Sequence, residues 1–219
     1  MAGARLSPVV VGVADHNGWA NLVSVAAVDG RPTVVDRRRV PLVEKNVPSQ
    51  PYHHETLALP DAASEQLLRR VERSIAGCAT LAFERLASDL SRRYRLTSIA
   101  IRHPPLPRLP KTVAEVHASY YTQCRADGML YHVAICEAAG QRRWKVHLHH
   151  RGEELSKAAE VLGVTAEEVE RFVNGLRETL KPPWTAEYRH AFAAATAALK
   201  SHSTAKLKLP ASPGLRRPG

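Results

Sequence analysis

A segment near the N-terminus, Pro8 to Val43, constrains the fold most strongly because it predicts three consecutive β-strands. The first strand, Pro8–Ala14, is a continuous apolar run, which is typical of a strand buried on both faces of a sheet. Polar turn residues separate it from the second strand, Trp19–Val28. Asp29-Gly30 is a strong hairpin signal that leads into the third strand, Thr33–Val43. We therefore expect an antiparallel set of three strands.

Helix and strand signals alternate after this segment. Apolar residues at helical spacing predict a helix from Asp61 to Leu90, and a fourth strand follows at Thr97–Ile101. A capping-box pattern predicts that a second long helix runs from Val113 to Ala139, with Tyr120 on its apolar side. A fifth strand is predicted at Arg143–His149. The remaining helical segments are Glu153–Leu162, Ala166–Leu180 and Thr185–Lys200. The order indicates an α/β fold in a single domain of residues 1–200.

The chain has a large excess of positive charge. Its 219 residues contain 31 Lys and Arg against 21 Asp and Glu, a formal net charge of +10. Such a charge favours a polyanionic partner, most simply DNA or RNA, although a basic protein without such a partner is an equal alternative. Residues 201–219 are rich in proline and carry only positive charge, which predicts a basic, disordered tail.

The cysteines and the hydropathy of the sequence indicate the cellular compartment in which we expect the protein. Three cysteines, Cys78, Cys124 and Cys136, lie in predicted helices without paired spacing. This odd number favours reduced thiols and a cytoplasmic protein. No apolar run approaches the ~20 residues of a membrane span, so we expect no membrane partner. The oligomeric state stays open, with a homodimer as one alternative.

The β-β-β-α-β-α-β-α order resembles the ribonuclease H-like superfamily, over roughly Pro8 to Leu199. The resemblance implies a mixed five-stranded sheet, with its first three strands antiparallel and helices on both faces. The second half is most similar to the Holliday-junction resolvase branch. Its segment 182–195 is similar to that family's last helix, with Glu187 and His190 at the positions of the family's paired ligands and an alanine-rich run after them.

The resemblance also implies a site in which divalent metal ions clamp a phosphodiester. The family has one acid at the end of the first strand, one at the end of the fourth strand and a pair on the last helix. The candidate catalytic set carried over from these positions is Asp15, His103, Glu187 and His190. Of these, Asp15, Glu187 and His190 are the candidate metal ligands. Two carboxylates and two imidazoles suit zinc, manganese or iron better than magnesium.

The chain departs from the family pattern at several of these positions. In the most natural register Ala14 occupies the first-strand position, and Asp15 faces elsewhere unless a bulge rotates it. Arg102 or His103 stands where the fourth-strand glutamate is expected. One interpretation is a catalytically degenerate relative of metal-dependent, structure-specific nucleases that still binds nucleic acid, with Arg102 pairing with Glu187. The alternatives are an active metal-dependent nuclease and a scaffold protein without nucleic acid.

Five basic residues are candidates for contacts with a phosphate backbone. They are Arg102, Arg108, Lys111, Arg143 and Lys145. The first three belong to a proline-rich loop after the fourth strand, and the last two to the fifth strand, where positive charge also protects an exposed sheet edge. A further pair, His53 and Glu55, could ligate a metal, but local polar packing is the stronger interpretation.

Overall fold

The computed structural model describes residues 6–199 and 207–209. Within these residues the chain forms one five-stranded sheet in the order β3-β2-β1-β4-β5. The strands are β1 (Ser7–His16), β2 (Trp19–Val28), β3 (Arg31–Pro41), β4 (Tyr94–Arg102) and β5 (Lys145–His149). The β3-β2-β1 part is antiparallel, whereas β4 pairs in parallel with both β1 and β5. The predicted mixed sheet, with its first three strands antiparallel, is confirmed.

Helices cover both faces of the sheet. They are α1 (Asp61–Leu90), α2 (Val113–His117), α3 (Tyr120–Gln141), α4 (Glu154–Leu162), α5 (Ala166–Gly175) and α6 (Ala186–Leu199). Short 3₁₀ helices lie at Glu55–Ala58 and Leu176–Glu178. Val9, Val11 and Val13 of β1 pack with α1 and α3, while Val10 and Ala14 pack with α4, α5 and α6. Both faces of β1 are therefore buried, which explains its continuous apolar run.

Gly12 sets how closely α6 approaches the sheet. A Cβ atom at position 12 would overlap the backbone carbonyl of Ala191 in α6. Because glycine has no side chain, the helix lies directly on the backbone of β1. This contact determines where the first turn of α6, which contains Glu187 and His190, stands relative to the end of β1.

The second long helix is not continuous as predicted. It is divided into α2 and α3, because Ser119 adopts an extended backbone and its hydroxyl accepts the N–H of Thr122 at 3.0 Å. This side chain caps a new helix beginning at Tyr120. The sequence pattern assigned Tyr120 to the apolar side of the helix, but the residue is 67% exposed. Arg143 lies before β5 with a φ of 58°, so the fifth strand is also shorter than predicted.

The predicted basic tail, 201–219, lies outside the described residues except for 207–209. There, Leu207 is buried against the α6 side of the core, and the N–H of Lys208 donates to the carbonyl of Gly30 at 2.8 Å. All three cysteines are free thiols. In the described part of the chain, no helix has the length and apolar character that a membrane span needs.

Candidate functional site at the carboxyl edge of the sheet

A cleft of about 370 Å³ opens where β1 and β4 end, beside the first turn of α6. Four sequence-predicted residues line it: Asp15, Arg102, Glu187 and His190. Four further polar residues complete its lining: His16, His149, Arg151 and Glu154. The topology therefore brings the ends of two central strands and the last helix together, as the resemblance implied.

Both carboxylate oxygens of Glu187 have partners within the protein. The side-chain amide of Asn21, a buried residue of β2, donates to Oε2 at 2.9 Å. On the other side, Nε2 of His16 lies 2.9 Å from Oε1. The degenerate interpretation predicts that Arg102 pairs with Glu187; the partner is His16 instead. Glu187 thus contacts Asn21 through one carboxylate oxygen and the imidazole of His16 through the other.

Aromatic and cationic side chains continue this network along the hairpin. The His16 ring stacks on Trp19, with ring centroids 4.0 Å apart and planes 11° from parallel. The guanidinium carbon of Arg39 lies 3.7 Å from the Trp19 ring centroid, a close cation–π contact. Because these contacts hold His16 in place, they also orient the carboxylate of Glu187.

Asp15 borders the cleft at the end of β1, but the strand alternation puts its side chain on the α3 face of the sheet, whereas Glu187 lies on the α6 face. The β1–β2 register is continuous here, with Ala14 opposite Asn21 and Asp15 opposite Ala20, so no bulge turns Asp15 toward α6. Its negative charge acts instead on His132 and Cys136 of α3. Burial lowers the pKa of His132 and raises that of the Cys136 thiol to about 11, so both groups are neutral near pH 7.

His103 lies outside the cleft lining. It is exposed, its backbone N–H donates to the carbonyl of His149 at 2.9 Å, and its ring stacks on His150 with centroids 4.2 Å apart. His149 lies deeper, with Nδ1 at 3.5 Å from Oε1 of Glu154, while its Nε2 is buried and has no hydrogen-bond partner among the residues that the structure describes. The pKa of His149 is lowered, chiefly by burial.

The three-dimensional arrangement is similar to that of Thermus thermophilus RuvC, with a TM-score of 0.50 and 14% sequence identity over 88% of this chain and 93% of that protein. The chain has the ribonuclease H-like fold. This confirms the fold that the sequence predicted. A second T. thermophilus RuvC structure, in complex with a Holliday junction substrate, gives a TM-score of 0.48 and 16% identity over the same shares of the two chains. No protein-family model and no curated protein matches the sequence.

The donor atoms in this ribonuclease H-like cleft do not fit a metal ion as they are arranged. Within residues 6–199 and 207–209, no three His, Cys, Asp or Glu side chains converge on a point where a metal could bind. Asp15 faces α3, and Glu187 is engaged on both oxygens. A metal centre needs several oxygen or nitrogen ligands directed at one point. The described side chains therefore do not form a metal centre in this arrangement.

The predicted phosphate-binding residues fall into separate groups. Arg102 lines the cleft, whereas Arg108 and Lys111 are exposed on the loop between β4 and α2. Lys145 begins β5 and pairs with Ser98, and His149 pairs with Arg102 at the other end of that strand. At about 3.3 Å per residue, Lys145 is thus ~13 Å from the cleft end of β5, and Arg143 lies farther still.

Sequence reasoning missed His16, Asn21, His149 and Arg151. A signal for the first two was present in the turn at Asn17-Gly18. A two-residue hairpin turn fixes the register on both sides, so it pairs His16 with Trp19 and Ala14 with Asn21. That register places His16 and Asn21 on the same face of the sheet as Ala14. His53 and Glu55 belong to a separate region, because the backbone N–H of His53 donates to Asp127 of α3.

Proposed function

We propose that this protein binds nucleic acid without cleaving it, through the cleft at the carboxyl ends of β1 and β4. The observation that carries the proposal is the state of Glu187, whose two oxygens contact His16 and Asn21 while cationic side chains line the same cleft. A carboxylate engaged in this way is poorly placed to hold a metal. The surrounding cations are well placed to hold a phosphate.

Arg102 and Arg151 are the groups best suited to bind the backbone. In the described part of the chain, neither forms an ion pair with a carboxylate. A guanidinium group presents several N–H donors in a planar fork that matches two phosphate oxygens. The family resemblance implies an acid at the end of the fourth strand, where this chain has Arg102. The side chain there is positive instead of negative, which suits a phosphate group and not a metal ion.

The overall charge supports the same proposal. With a net charge of +10, the protein attracts polyanions over a long range at low ionic strength. Contacts to phosphates release condensed counterions, so the binding constant should fall steeply as salt increases. The ribonuclease H-like fold supports a nucleic-acid partner by analogy of fold.

A mobility-shift titration tests this function. Duplex DNA, a four-way junction, single-stranded DNA and single-stranded RNA are titrated with protein at low salt, and parallel samples with magnesium or manganese are run on denaturing gels. We expect retarded complexes and intact strands. Failure to bind any of the four ligands would leave the scaffold alternative. Metal-dependent cleavage that disappears in a Glu187→Ala variant would establish the nuclease alternative.

A further inference from the structure

Two consecutive tyrosines at the start of α3 are unusually exposed. Tyr120 is 67% exposed and Tyr121 61%, the highest values among the exposed large hydrophobic side chains of the described residues. Neither packs into the core. Aromatic rings in water do not gain the free energy that burial would give them. Two such rings on one helical turn therefore indicate a binding surface.

Cationic and imidazole groups surround these rings. The guanidinium carbon of Arg125 lies 4.1 Å from the Tyr121 ring centroid, and its Nη1 donates to the carbonyl of Pro105 at 2.6 Å. His53 meets Tyr120 edge to face, with centroids 4.7 Å apart, and its other neighbour is the stacked ring of His54 at 4.3 Å. The tyrosines are thereby held beside the guanidinium group of Arg125 and the ring of His53.

The tyrosine pair lies beyond the same edge of the sheet at which the cleft opens. Farther along α3, the position of a Cβ on Gly128 is 3.8 Å from the side chain of Asn17 in the β1–β2 turn. Tyr120 is eight residues nearer the N-terminus, which is about 12 Å along a helix. The tyrosines therefore lie at this edge on the α3 side of the sheet, and the cleft opens at the same edge on the α6 side.

We propose that Tyr120 and Tyr121 form a stacking platform for unpaired nucleobases. This inference rests on the proposed function, and it adds the class of ligand: nucleic acid with unstacked bases, either single strands or unpaired positions in branched molecules. Aromatic rings beside cations bind bases of any sequence, because every base has a π face and the neighbouring phosphates are negative. Bases inside a duplex are already stacked, so the platform adds nothing to duplex binding.

The test uses single-stranded oligonucleotides that contain 2-aminopurine, whose fluorescence is sensitive to stacking. A Tyr120→Ala, Tyr121→Ala double variant is compared with the full-length wild type, and Tyr→Phe substitutions at both positions provide the conservative comparison. Leu81→Ala is the matched control, because Leu81 is an exposed apolar residue of α1, 44% exposed. Melting temperatures of all variants establish that they fold.

We expect the fluorescence of the wild-type complex to change and the affinity of the double Ala variant for single strands to fall by roughly tenfold or more, at the lower end of what base stacking contributes. Duplex affinity should not change. The Phe variant and Leu81→Ala should both behave like wild type. If the wild type binds single strands with no fluorescence change and no loss in the Ala variant, the platform is refuted while the proposed function stands.

Two other results would also overturn the platform. If the wild type binds no nucleic acid at all, both the proposed function and the platform fail together. If sedimentation shows that the wild type self-associates and the Ala variant does not, with equal affinity for single strands, the tyrosines are an interface between two copies of the chain.

Discussion

Nε2 of His16 lies 2.9 Å from Oε1 of Glu187, on the face of β1 that carries Ala14 and not on the face that carries Asp15. This relationship explains why the cleft lacks a metal-binding arrangement among the described residues. Asp15, the acid at the end of β1, follows Ala14 by one position, so its side chain is on the face of the strand away from α6. An imidazole takes its place beside Glu187.

The first prediction restores a carboxylate to the α6 face. An Ala14→Asp substitution places a second negative charge near Glu187, so without metal the melting temperature should fall. Manganese should reverse this fall by binding between the two carboxylates; at a metal concentration ~100 times Kd the gain is about 2.7 kcal/mol. The wild-type melting curve should not respond to manganese. Differential scanning fluorimetry measures both.

Asp15→Ala provides the control for this experiment. Because Asp15 faces α3, adding this change to Ala14→Asp should leave the response to manganese intact. The prediction is wrong if manganese raises the melting temperature of the wild type but not that of a Glu187→Ala, His190→Ala variant. Such a protein would already bind metal through Glu187 and His190, and the cleft would be a metal centre.

The second prediction concerns the cationic residues of the cleft. Arg102→Ala and Arg151→Ala should each weaken nucleic-acid binding and lower the slope of log K against log salt by about 1, because each removes one phosphate contact. Filter-binding titrations at several salt concentrations give the slopes. Arg73→Ala and Arg85→Ala, exposed residues of α1, remove the same charge elsewhere and should leave the slope nearly unchanged. Equal effects from both pairs would mean that only net charge matters.

The third prediction concerns the contact between β1 and α6. Gly12→Ala would drive a methyl group into the carbonyl of Ala191, and we expect it to cost about 3 kcal/mol of unfolding free energy or more. Urea denaturation measures the loss. Gly77→Ala is the matched control, since a Cβ there meets nothing within 4 Å and alanine favours the helix by up to ~1 kcal/mol. A Gly12→Ala variant as stable as wild type would show that α6 can move away from the strand.

The fourth prediction is a pH dependence of stability. Asp127 is fully buried and accepts the N–H groups of Tyr52 and His53 at 2.9 and 3.2 Å. Burial raises its pKa to about 7, and the two backbone hydrogen bonds only partly offset this. Between its unfolded pKa of about 3.9 and about 7, the folded protein binds more protons than the unfolded chain. Stability should therefore fall as pH rises through this window, by up to ~1.4 kcal/mol per pH unit.

An Asp127→Asn variant isolates this effect because it cannot ionise. The difference between its unfolding free energy and that of wild type should change across the window and become constant above about pH 7. The lowered pKa of His132 gives a dependence of opposite sign, but it is common to both proteins and cancels in the difference. Parallel pH profiles for the two proteins would contradict the prediction.

The fold was largely predictable because its signals are local and strong. The bounds of β2 and α1 are those that the sequence predicts, and the capping box of Thr165 and Glu168 is present at the start of α5. The break between α2 and α3 was missed because Ser119 is a weak signal inside an apolar pattern. The exposure of Tyr120 was missed for the same reason, since the apolar pattern predicts one continuous helix.

The site was predictable in position but only partly in geometry. The convergence of β1, β4 and α6 follows from the order of the elements, and it brings Asp15, Arg102, Glu187 and His190 to one cleft. Which face Asp15 occupies depends on strand register, and a shift of one residue reverses every side chain. The pairing of His16 and Asn21 with Glu187 joins residues more than 160 positions apart, so no local pattern contains it.

The absence of a side chain at Gly12 affects which residues of such a protein can be substituted during evolution. The separation of α6 from the sheet is set by one backbone touching another, and no functional group takes part in that spacing. Residues at the rim, such as Arg102 and His190, can therefore be exchanged without altering the scaffold that presents them. Substitutions at the rim of such a cleft can replace one function with another while the fold stays the same.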